Sequence, residues 1–319
     1  MQKMTHKHTR ELDIFCNEHH ENCTLCNRQF KDGDTAHLGY IENNRPAFLC
    51  NDCASQLRET VVRYYWQKRE YDIPAPNDKL WRYMDLSKFI SLISKREIYF
   101  SAAKCFTDPF EGAKGIIGRK EIWDNFYSDF LRNALLTVPG ADPARFSEDE
   151  LQQETERLLH DLHVGGIESQ EYTFISCWHM NDFESEAMWK LYSKDTTNAI
   201  AIQTTYKRLY EALGKDPYIS IGMVKFIDFS KSFSSVNHPY WYKQKSFDYE
   251  REVRAIATNI QENGTNGVYY PVDIDLLIEN LYVSPYAPQW FYDVIQSVLD
   301  KYGLKKSILQ SQMKATPFY

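Results

Sequence analysis

Two pairs of cysteines near the amino terminus constrain this chain more than any other feature of its sequence. Cys23 and Cys26 form one CxxC pair, and Cys50 and Cys53 form the other. A CxxC turn directs two thiolates at one cation, and two such turns supply the tetrahedral four-sulfur site that zinc prefers. We therefore predict that these four residues bind a structural zinc ion, in a zinc-ribbon or treble-clef module over residues 1–72.

The residues around the cysteine pairs indicate how this module folds. HLGYI and PAFLC are strand-like runs flanked by the turn-forming DGD and ENN, which predicts one or two hairpins between the pairs. ASQLRETVVRYYWQKRE, after the second pair, is predicted to be helical. A redox role is disfavoured, because neither pair lies beside a βαβ pattern. Two alternatives stay open for the nearby histidines: one of them replaces a cysteine ligand, or they bind a second ion. These histidines are His6, His8, His19, His20 and His37.

Length and composition favour two folded domains. The 319 residues are 43% hydrophobic and 25% charged, and no run approaches the roughly 18 apolar residues of a membrane span. Paired cysteines within an odd total of seven are typical of reduced thiols that bind metal, so we predict a cytoplasmic protein. The net charge of −7 restricts any contact with nucleic acid to a local surface. YDIPAPNDK predicts a boundary before a large domain at 79–319.

The large domain is predicted to have an α+β fold. LWRYM, IYFSA, YTFISCW, NAIAIQT, VKFIDF, REVRAIA and VYYPVDI predict strands that follow one another with little helix between them. This order favours a mixed, mostly antiparallel sheet with flanking helices. A charged, helix-rich segment at about 120–168, with a break at TVPGADP, is predicted to be a helical insertion.

Four groups of polar residues lie where a strand ends or a loop turns. Arg82 and Tyr83 lie in the first strand, and an arginine among apolar neighbours either points outward or binds an anion. Proline and glycine in FTDPFEG predict a loop that leaves Asp108 and Glu111 at the surface. As an alternative to ligand binding, these two acids make only a turn and a helix cap.

The third and fourth groups lie later in the chain. Ser176, Trp178 and a following histidine end one strand, and these aromatics fit a core as readily as a ligand platform. Glu250, Glu252 and Arg254 are predicted to alternate onto one face of another strand. Two carboxylates there need a nearby cation, substrate or solvent, or else they belong to a salt-bridged surface.

From LWRYM to the carboxyl terminus the chain resembles a bacterial family of uncharacterised domains. That family has an L-Y-x-Y-like strand, an N-D-P-F-E loop, a C-F-S strand followed by M-W-x-x-Y, and a late E-x-E-x-R strand. The corresponding segments here are LWRY, TDPFE, ISCW with MWKLY, and EREVR, with Thr107 in place of the usual asparagine. This resemblance covers about three quarters of the chain and names no reaction.

The order of an arginine, a serine-ended strand and a late E-x-E also resembles the R-S-E pattern of ADP-ribosyltransferases. This resemblance implies that Arg82 grips the NAD pyrophosphate, that Ser176 orders the nicotinamide pocket and that Glu252 stabilises the oxocarbenium ion. Glu250 would then orient or deprotonate the acceptor, and Tyr83 or Trp178 would stack on nicotinamide. Asp108 and Glu111 complete the candidate NAD-binding residues.

Two other functions fit the same residues. The four acids at positions 108, 111, 250 and 252 suggest a Mg²⁺-dependent nuclease, although Arg254 stands where such sites favour lysine. A zinc-stapled adaptor that senses a nucleotide or a partner is the non-enzymatic alternative. For the transferase we expect a protein, RNA or DNA acceptor, a regulatory protein partner, and a toxin or phage-defence role.

Overall fold

The three-dimensional structure is a computed structural model. It describes residues 6–18, 20–41, 45–55, 62–137, 146–193, 195–258 and 265–319.

The amino-terminal elements form a small sheet with its own apolar core. They are α1 (His6–Asn17), β1 (Thr35–Ile41), β2 (Arg45–Cys50), α2 (Asn51–Ala54) and β3 (Val62–Tyr65). The strands pair antiparallel in the order β2-β1-β3. The predicted hairpin between the cysteine pairs is therefore confirmed. Phe30, Phe48 and Trp66 pack together in the core of this sheet.

The helix predicted after Cys53 is wrong over its described second half. Residues 62–65 form β3, which pairs with β1. Valine and tyrosine favour strands, and the edge of β1 offers hydrogen bonds that outweigh the helical pattern. Residues 56–61 of the predicted helix lie outside the described part of the chain.

The first half of the large sheet alternates strands and helices. Its elements are β4 (Lys79–Asp85), α3 (Leu86–Lys95), β5 (Glu97–Ala102), α4 (Lys120–Thr137), α5 (Glu148–Tyr172), β6 (Phe174–Met180), α6 (Glu186–Tyr192), β7 (Ala199–Thr205) and α7 (Tyr206–Ala212). Ser147 begins α5 with a capping box, because its hydroxyl accepts from Glu150 N while the Glu150 carboxylate accepts from Ser147 N. The predicted TVPGADP break falls mainly on residues outside the described ones.

The second half contributes mostly strands. Its elements are β8 (Ile219–Met223), β9 (Lys225–Ile227), β10 (Tyr242–Gln244), β11 (Glu252–Ala257), β12 (Gly267–Pro271), α8 (Ile274–Leu277), β13 (Asn280–Val283), α9 (Gln289–Lys301) and β14 (Ile308–Gln310). The main sheet has the order β12-β5-β6-β4-β7-β13-β14, and β11 joins β6 to β8. All pairings in this sheet except β13–β14 are antiparallel, which confirms the predicted α+β class.

Helices cover both faces of this sheet. Phe89, Leu92 and Ile93 recur at helical spacing along α3 and pack with α9 in the main core. On the other face, Met188 and Trp189 of α6 pack against β4 and β7. None of the described helices has the length and apolar character that a membrane span requires.

The segment between the two sheets is fixed to the larger one. The Tyr71 ring stacks on Trp241 with centroids 4.1 Å apart, and Asp72 forms a β-bridge with Met223. A Cβ atom at Gly222 would lie 2.2 Å from the Tyr71 ring, so only glycine admits this contact without rearrangement. Residues 71 and 72 of the predicted linker are therefore packed rather than free.

Candidate functional site

The four cysteines of the CxxC pairs meet in one cluster. Their sulfur atoms all lie within 4.8 Å of one another, and Cys26 Sγ is 3.7 Å from Cys50 Sγ. A tetrahedral zinc ion with Zn–S bonds of about 2.3 Å separates its sulfurs by about 3.8 Å. The cluster therefore fits a metal ion such as zinc. A cysteine turn, a hairpin and the first turn of a helix supply the ligands, which is the order of a treble clef.

Backbone amides favour the thiolate form of one member of this cluster, Cys23. Burial opposes ionisation of Cys23, but the amides of Cys26, Cys50 and Leu25 lower the pKa of its thiol to about 6. A thiolate at neutral pH is the form that binds zinc. His20 lies outside the cluster and stacks on Phe15. His37 hydrogen-bonds to Asn51, while His19 and the side chains of the two earlier histidines lie outside the described residues.

A gap in the large sheet forms the second candidate site. Along one edge, β6 pairs with β5 only at Ser101 and Ala102, and with β4 only at Leu80 and Trp81. The described residues provide no strand partner for residues 176–178 on this edge. A cavity of about 540 Å³ fills this gap. It is large enough for part of a dinucleotide-sized ligand.

The gap brings together side chains from the two faces of the sheet. Register and alternation place Arg82 and Ser176 on one face, and Glu252 with Cys177 and His179 on the other. Arg82, Cys177, His179 and Glu252 nevertheless all line the cavity, because it passes between the separated strands. The remaining wall is largely aromatic and includes Tyr83, Tyr99, Phe106, Trp178, Tyr192 and Tyr269.

Arg82 spans the gap from β4. Its guanidinium donates to Ser176 Oγ on β6 and, over 3.1 Å, to the Tyr99 carbonyl on β5. It also lies 5.6 Å from the centre of the Trp178 ring. Burial lowers the pKa of Arg82 to about 10, so the group stays protonated at neutral pH. No carboxylate within the described residues pairs with this cation, so it can meet an anionic ligand.

Glu252 is held as an anion at the cavity wall. Arg254 Nε donates to it over 2.9 Å, and Lys243 Nζ lies 3.4 Å from its second oxygen. Burial opposes ionisation, but Arg254 and Lys243 lower the pKa of Glu252 to about 2. The Cys177 thiol, which donates to this carboxylate, contributes to the lowered pKa of Glu252. Glu252 therefore carries a negative charge at every physiological pH.

Glu250 also lines the cavity, although it lies before the first residue of strand β11. Sequence alternation predicts it on the strand face with Glu252, but it ends a 3₁₀ turn, and β11 begins at residue 252. Arg251 between them has a left-handed backbone with φ of 40°, which interrupts the alternation. Lys243 Nζ donates to Glu250 over 2.6 Å and so lies between the two carboxylates. Burial raises the pKa of Glu250 above 4.5, against the effect of Lys243.

Two cavity residues carry buried polar atoms without a partner among the described residues. They are Trp178 Nε1 and His179 Nε2. His179 Nδ1 lies 2.5 Å from the Glu250 carbonyl, so Nδ1 carries the proton and Nε2 is an acceptor. Burial lowers the pKa of His179, which favours this neutral form. One donor and one acceptor of cavity-lining residues thus have no hydrogen-bond partner in the described part of the chain.

Three other predicted site residues, Ser176, Asp108 and Glu111, do not line the cavity. Ser176 lies behind Arg82 and anchors it. Asp108 accepts from Phe110 N in a turn, as the alternative to a binding role predicts. The prediction that Glu111 lies at the surface is wrong, because it is 3% exposed and paired with Arg254. An oppositely charged partner removes the need for solvent.

Sequence reasoning did not select several residues that line the cavity or hold its acids. Cys177 directly follows the selected serine and shares a face of β6 with His179, the histidine selected together with that serine, so period-two alternation places it beside Glu252. Lys243 carries no such signal, because its strand β10 is three residues long and has β9 as its one partner among the described strands. Tyr99 and Tyr269 are cross-strand neighbours at the rim, with ring centres 5.1 Å apart.

Comparison with known proteins gives limited information. No family model and no curated protein matches this chain. One similar solved structure is that of Thermus sp. 2.9 DarT in complex with ADP-ribosylated single-stranded DNA. The similarity covers 76% of this chain and 97% of that chain, with 10% sequence identity and a TM-score of 0.34.

Proposed function

We propose that this chain is an ADP-ribosyltransferase-like enzyme that binds NAD at the gap in the sheet and modifies a macromolecular acceptor. One observation carries the proposal: a single cavity is lined by a protonated guanidinium, Arg82, and by an ionised carboxylate, Glu252. NAD presents the complementary pattern, since its pyrophosphate is anionic and its nicotinamide ribose becomes cationic as the glycosidic bond breaks. The aromatic wall suits the flat nicotinamide and adenine rings.

The proposed reaction assigns a role to each group. Arg82, anchored by Ser176 and stacked near Trp178, binds the pyrophosphate as a charged fork. The bond from ribose C1′ to nicotinamide breaks, and its electron pair leaves with the neutral ring. Glu252 stabilises the resulting oxocarbenium charge. A nucleophilic oxygen or nitrogen of the acceptor then bonds to C1′, and its proton passes to Glu250. Tyr83 or Trp178 contacts nicotinamide.

The carboxylate cluster supports a transferase better than a metal-dependent nuclease. Glu250, Glu252 and Glu111 are already bonded to Lys243 or Arg254. Within the described residues, the four cysteines are the group of ligands that could hold a metal ion. A zinc-stapled sensor would use the same cavity without turnover. A toxin or phage-defence role and a regulatory partner stay predictions.

Incubation with labelled NAD and cell extract tests the proposal. We expect release of free nicotinamide and transfer of label to protein, RNA or DNA in the extract, and digestion with protease or nuclease identifies the acceptor class. NAD binding without either event would favour the sensor instead. Strand cleavage that requires Mg²⁺ and is lost on Glu252→Gln would favour the nuclease.

Arg82→Lys should weaken NAD binding while the chain stays folded. Lysine keeps the positive charge but cannot reach Ser176 Oγ, the Tyr99 carbonyl and a pyrophosphate as a planar fork does. We expect the dissociation constant to rise about 10- to 100-fold, which corresponds to one or two lost charge-assisted bonds. Calorimetry measures it. Arg96→Lys, at an exposed ion pair with Asp275, is the matched control, and equal affinities in the two variants would contradict the role of Arg82.

The dependence of kcat/KM on pH should reflect the ionisation of Glu250. Its pKa is raised by burial, so its base form is lost as the pH falls through a value above 4.5, whereas Glu252 stays ionised down to about pH 2. We expect kcat/KM for acceptor modification to fall on the acid side with a midpoint above 4.5. Glu250→Gln should lower the rate and remove this acid limb. An acid limb that persists in Glu250→Gln would show that another group is the base.

A further inference from the structure

Two sequence motifs that lie far apart in the chain meet in a buried ion pair. Glu111 belongs to the TDPFEG loop, and Arg254 to the EREVR strand. Arg254 Nη1 and Nη2 donate to the two oxygens of Glu111 over 2.6 and 2.8 Å, which is a bidentate pair. Arg254 is fully buried and Glu111 is 3% exposed. The pair therefore does not serve solubility or surface charge.

The same guanidinium holds the cavity carboxylate. Arg254 Nε and Nη2 donate to Glu252 over 2.9 and 3.2 Å, and Nη1 also donates to the Tyr240 carbonyl over 2.6 Å. All three nitrogen atoms of the Arg254 guanidinium are thus hydrogen-bonded, and the orientation of this group depends on the carboxylates of Glu111 and Glu252 on either side. Glu111 does not line the cavity, so it can affect a ligand only through Arg254 and Glu252.

The loop that carries Glu111 is fixed in place. Glu111 N donates to the Asp108 carbonyl, and Gly112 has a left-handed φ of 73°. A Cβ atom at Gly112 would lie 2.7 Å from the Tyr240 ring, so glycine is needed for this close packing. Gln170 donates to the Glu111 carbonyl from α5. The carboxylate is therefore presented to Arg254 by a packed loop rather than by a mobile one.

The charges of the cluster explain why a third acid, Glu111, is needed beside Glu250 and Glu252. Glu111, Glu250 and Glu252 contribute three negative charges, and Lys243 and Arg254 two positive ones, which leaves one net negative charge. Burial raises the pKa of Glu111, but its two bonds to Arg254 keep it ionised at neutral pH. Without Glu111 the same cluster would be neutral.

We infer that Glu111 is a positioning residue, which offsets the charge of Arg254 and orients its guanidinium, so that Glu252 faces the cavity as part of a cluster with one net negative charge. The inference rests on the proposed function in that Glu252 stabilises the oxocarbenium ion. It gives the TDPFEG loop a role that neither ligand contact nor metal binding provides. Neutralising Glu111 leaves Arg254 bound to Glu252 alone, which weakens the field of that carboxylate at the cavity.

Steady-state kinetics with NAD test the inference. We expect Glu111→Gln to lower kcat for nicotinamide release about 100-fold with KM for NAD nearly unchanged, because the ligand touches other residues. Glu111→Asp, which retains the charge, should recover at least about a tenth of the lost rate. Glu121→Gln, at an exposed position of α4, is the control and should match the unmodified chain. Equal kcat in Glu111→Gln and Glu121→Gln would overturn the inference.

A second measurement does not require turnover. The Cys177 thiol bonds to Glu252, and burial, with Glu252 and Glu111, raises its pKa well above 9. The pH midpoint of Cys177 alkylation, followed by mass spectrometry, should fall by about one unit in Glu111→Gln but not in Glu111→Asp. Near-UV circular dichroism confirms that each variant is folded. An unchanged midpoint refutes the inference, whereas an inactive unmodified chain with the shifted midpoint refutes the proposed function alone.

Discussion

Glu252→Gln is expected to abolish NAD cleavage while NAD binding survives. Glutamine has nearly the same shape but cannot offset the positive charge that develops on the ribose, so the loss falls on the chemical step. We expect kcat to fall by about 10³-fold, which corresponds to about 4 kcal/mol at 1.36 kcal/mol per tenfold change. Nicotinamide release measures turnover, and calorimetry measures NAD affinity.

The control for this variant must separate catalysis from folding. Glu252 is bonded to Arg254 in the interior, and removing one partner of a buried ion pair costs about 3–5 kcal/mol of stability. The melting temperature and circular dichroism of Glu252→Gln therefore accompany the kinetics, with Glu121→Gln as the matched surface variant. Full turnover in a folded Glu252→Gln protein would exclude the proposed role of this carboxylate.

Cys50→Ser is expected to release the metal ion and unfold the amino-terminal sheet. Four cysteine sulfur atoms lie within 4.8 Å of one another, and the apolar core beside them is small, so metal binding is expected to supply most of the folding free energy of this sheet, about 10–16 kcal/mol in comparable peptides. Elemental analysis should find one zinc per unmodified chain and none in the variant. Limited proteolysis should then cut between residues 20 and 66. The exposed Cys105 lies outside the cluster, so Cys105→Ser is the control. Retention of zinc by Cys50→Ser would contradict the assignment.

Much of the large sheet could be predicted because most residues of its longer strands are apolar. The predicted strand NAIAIQT overlaps β7, which is buried at every position from Ala199 to Thr205, and such runs admit few other structures. β8 was not predicted, since ISIGM contains serine and glycine and its pairing with β11 is long-range. β3 was predicted as helix because pairing with β1 is likewise invisible in a local window.

The candidate site was only partly predictable for the same reason. Arg82 and Glu252 were selected because polar residues in apolar strands need an explanation. Their relative position depends on the gap beside β6, which is a property of the pairing of three strands and not of any one segment. Period-two alternation predicted that Glu250 lies on the strand face with Glu252. Arg251 between them has a left-handed backbone, so Glu250 lies before the strand and not on it. Glu111 could be selected but not placed, because its partner is 143 residues away.

The interrupted ladder beside β6 also leaves peptide groups facing the gap in the sheet. Met180 N donates to the Arg251 carbonyl on the β11 side, so the N–H and C=O of Cys177, three residues earlier, point to the opposite edge. A carboxamide placed at this edge would hydrogen-bond as a neighbouring strand does. Its N–H would donate to the Cys177 C=O, and its C=O would accept from the Cys177 N–H. Recognition by this route is indifferent to the side chain at position 177, and it selects flat amides over esters and acids of the same shape.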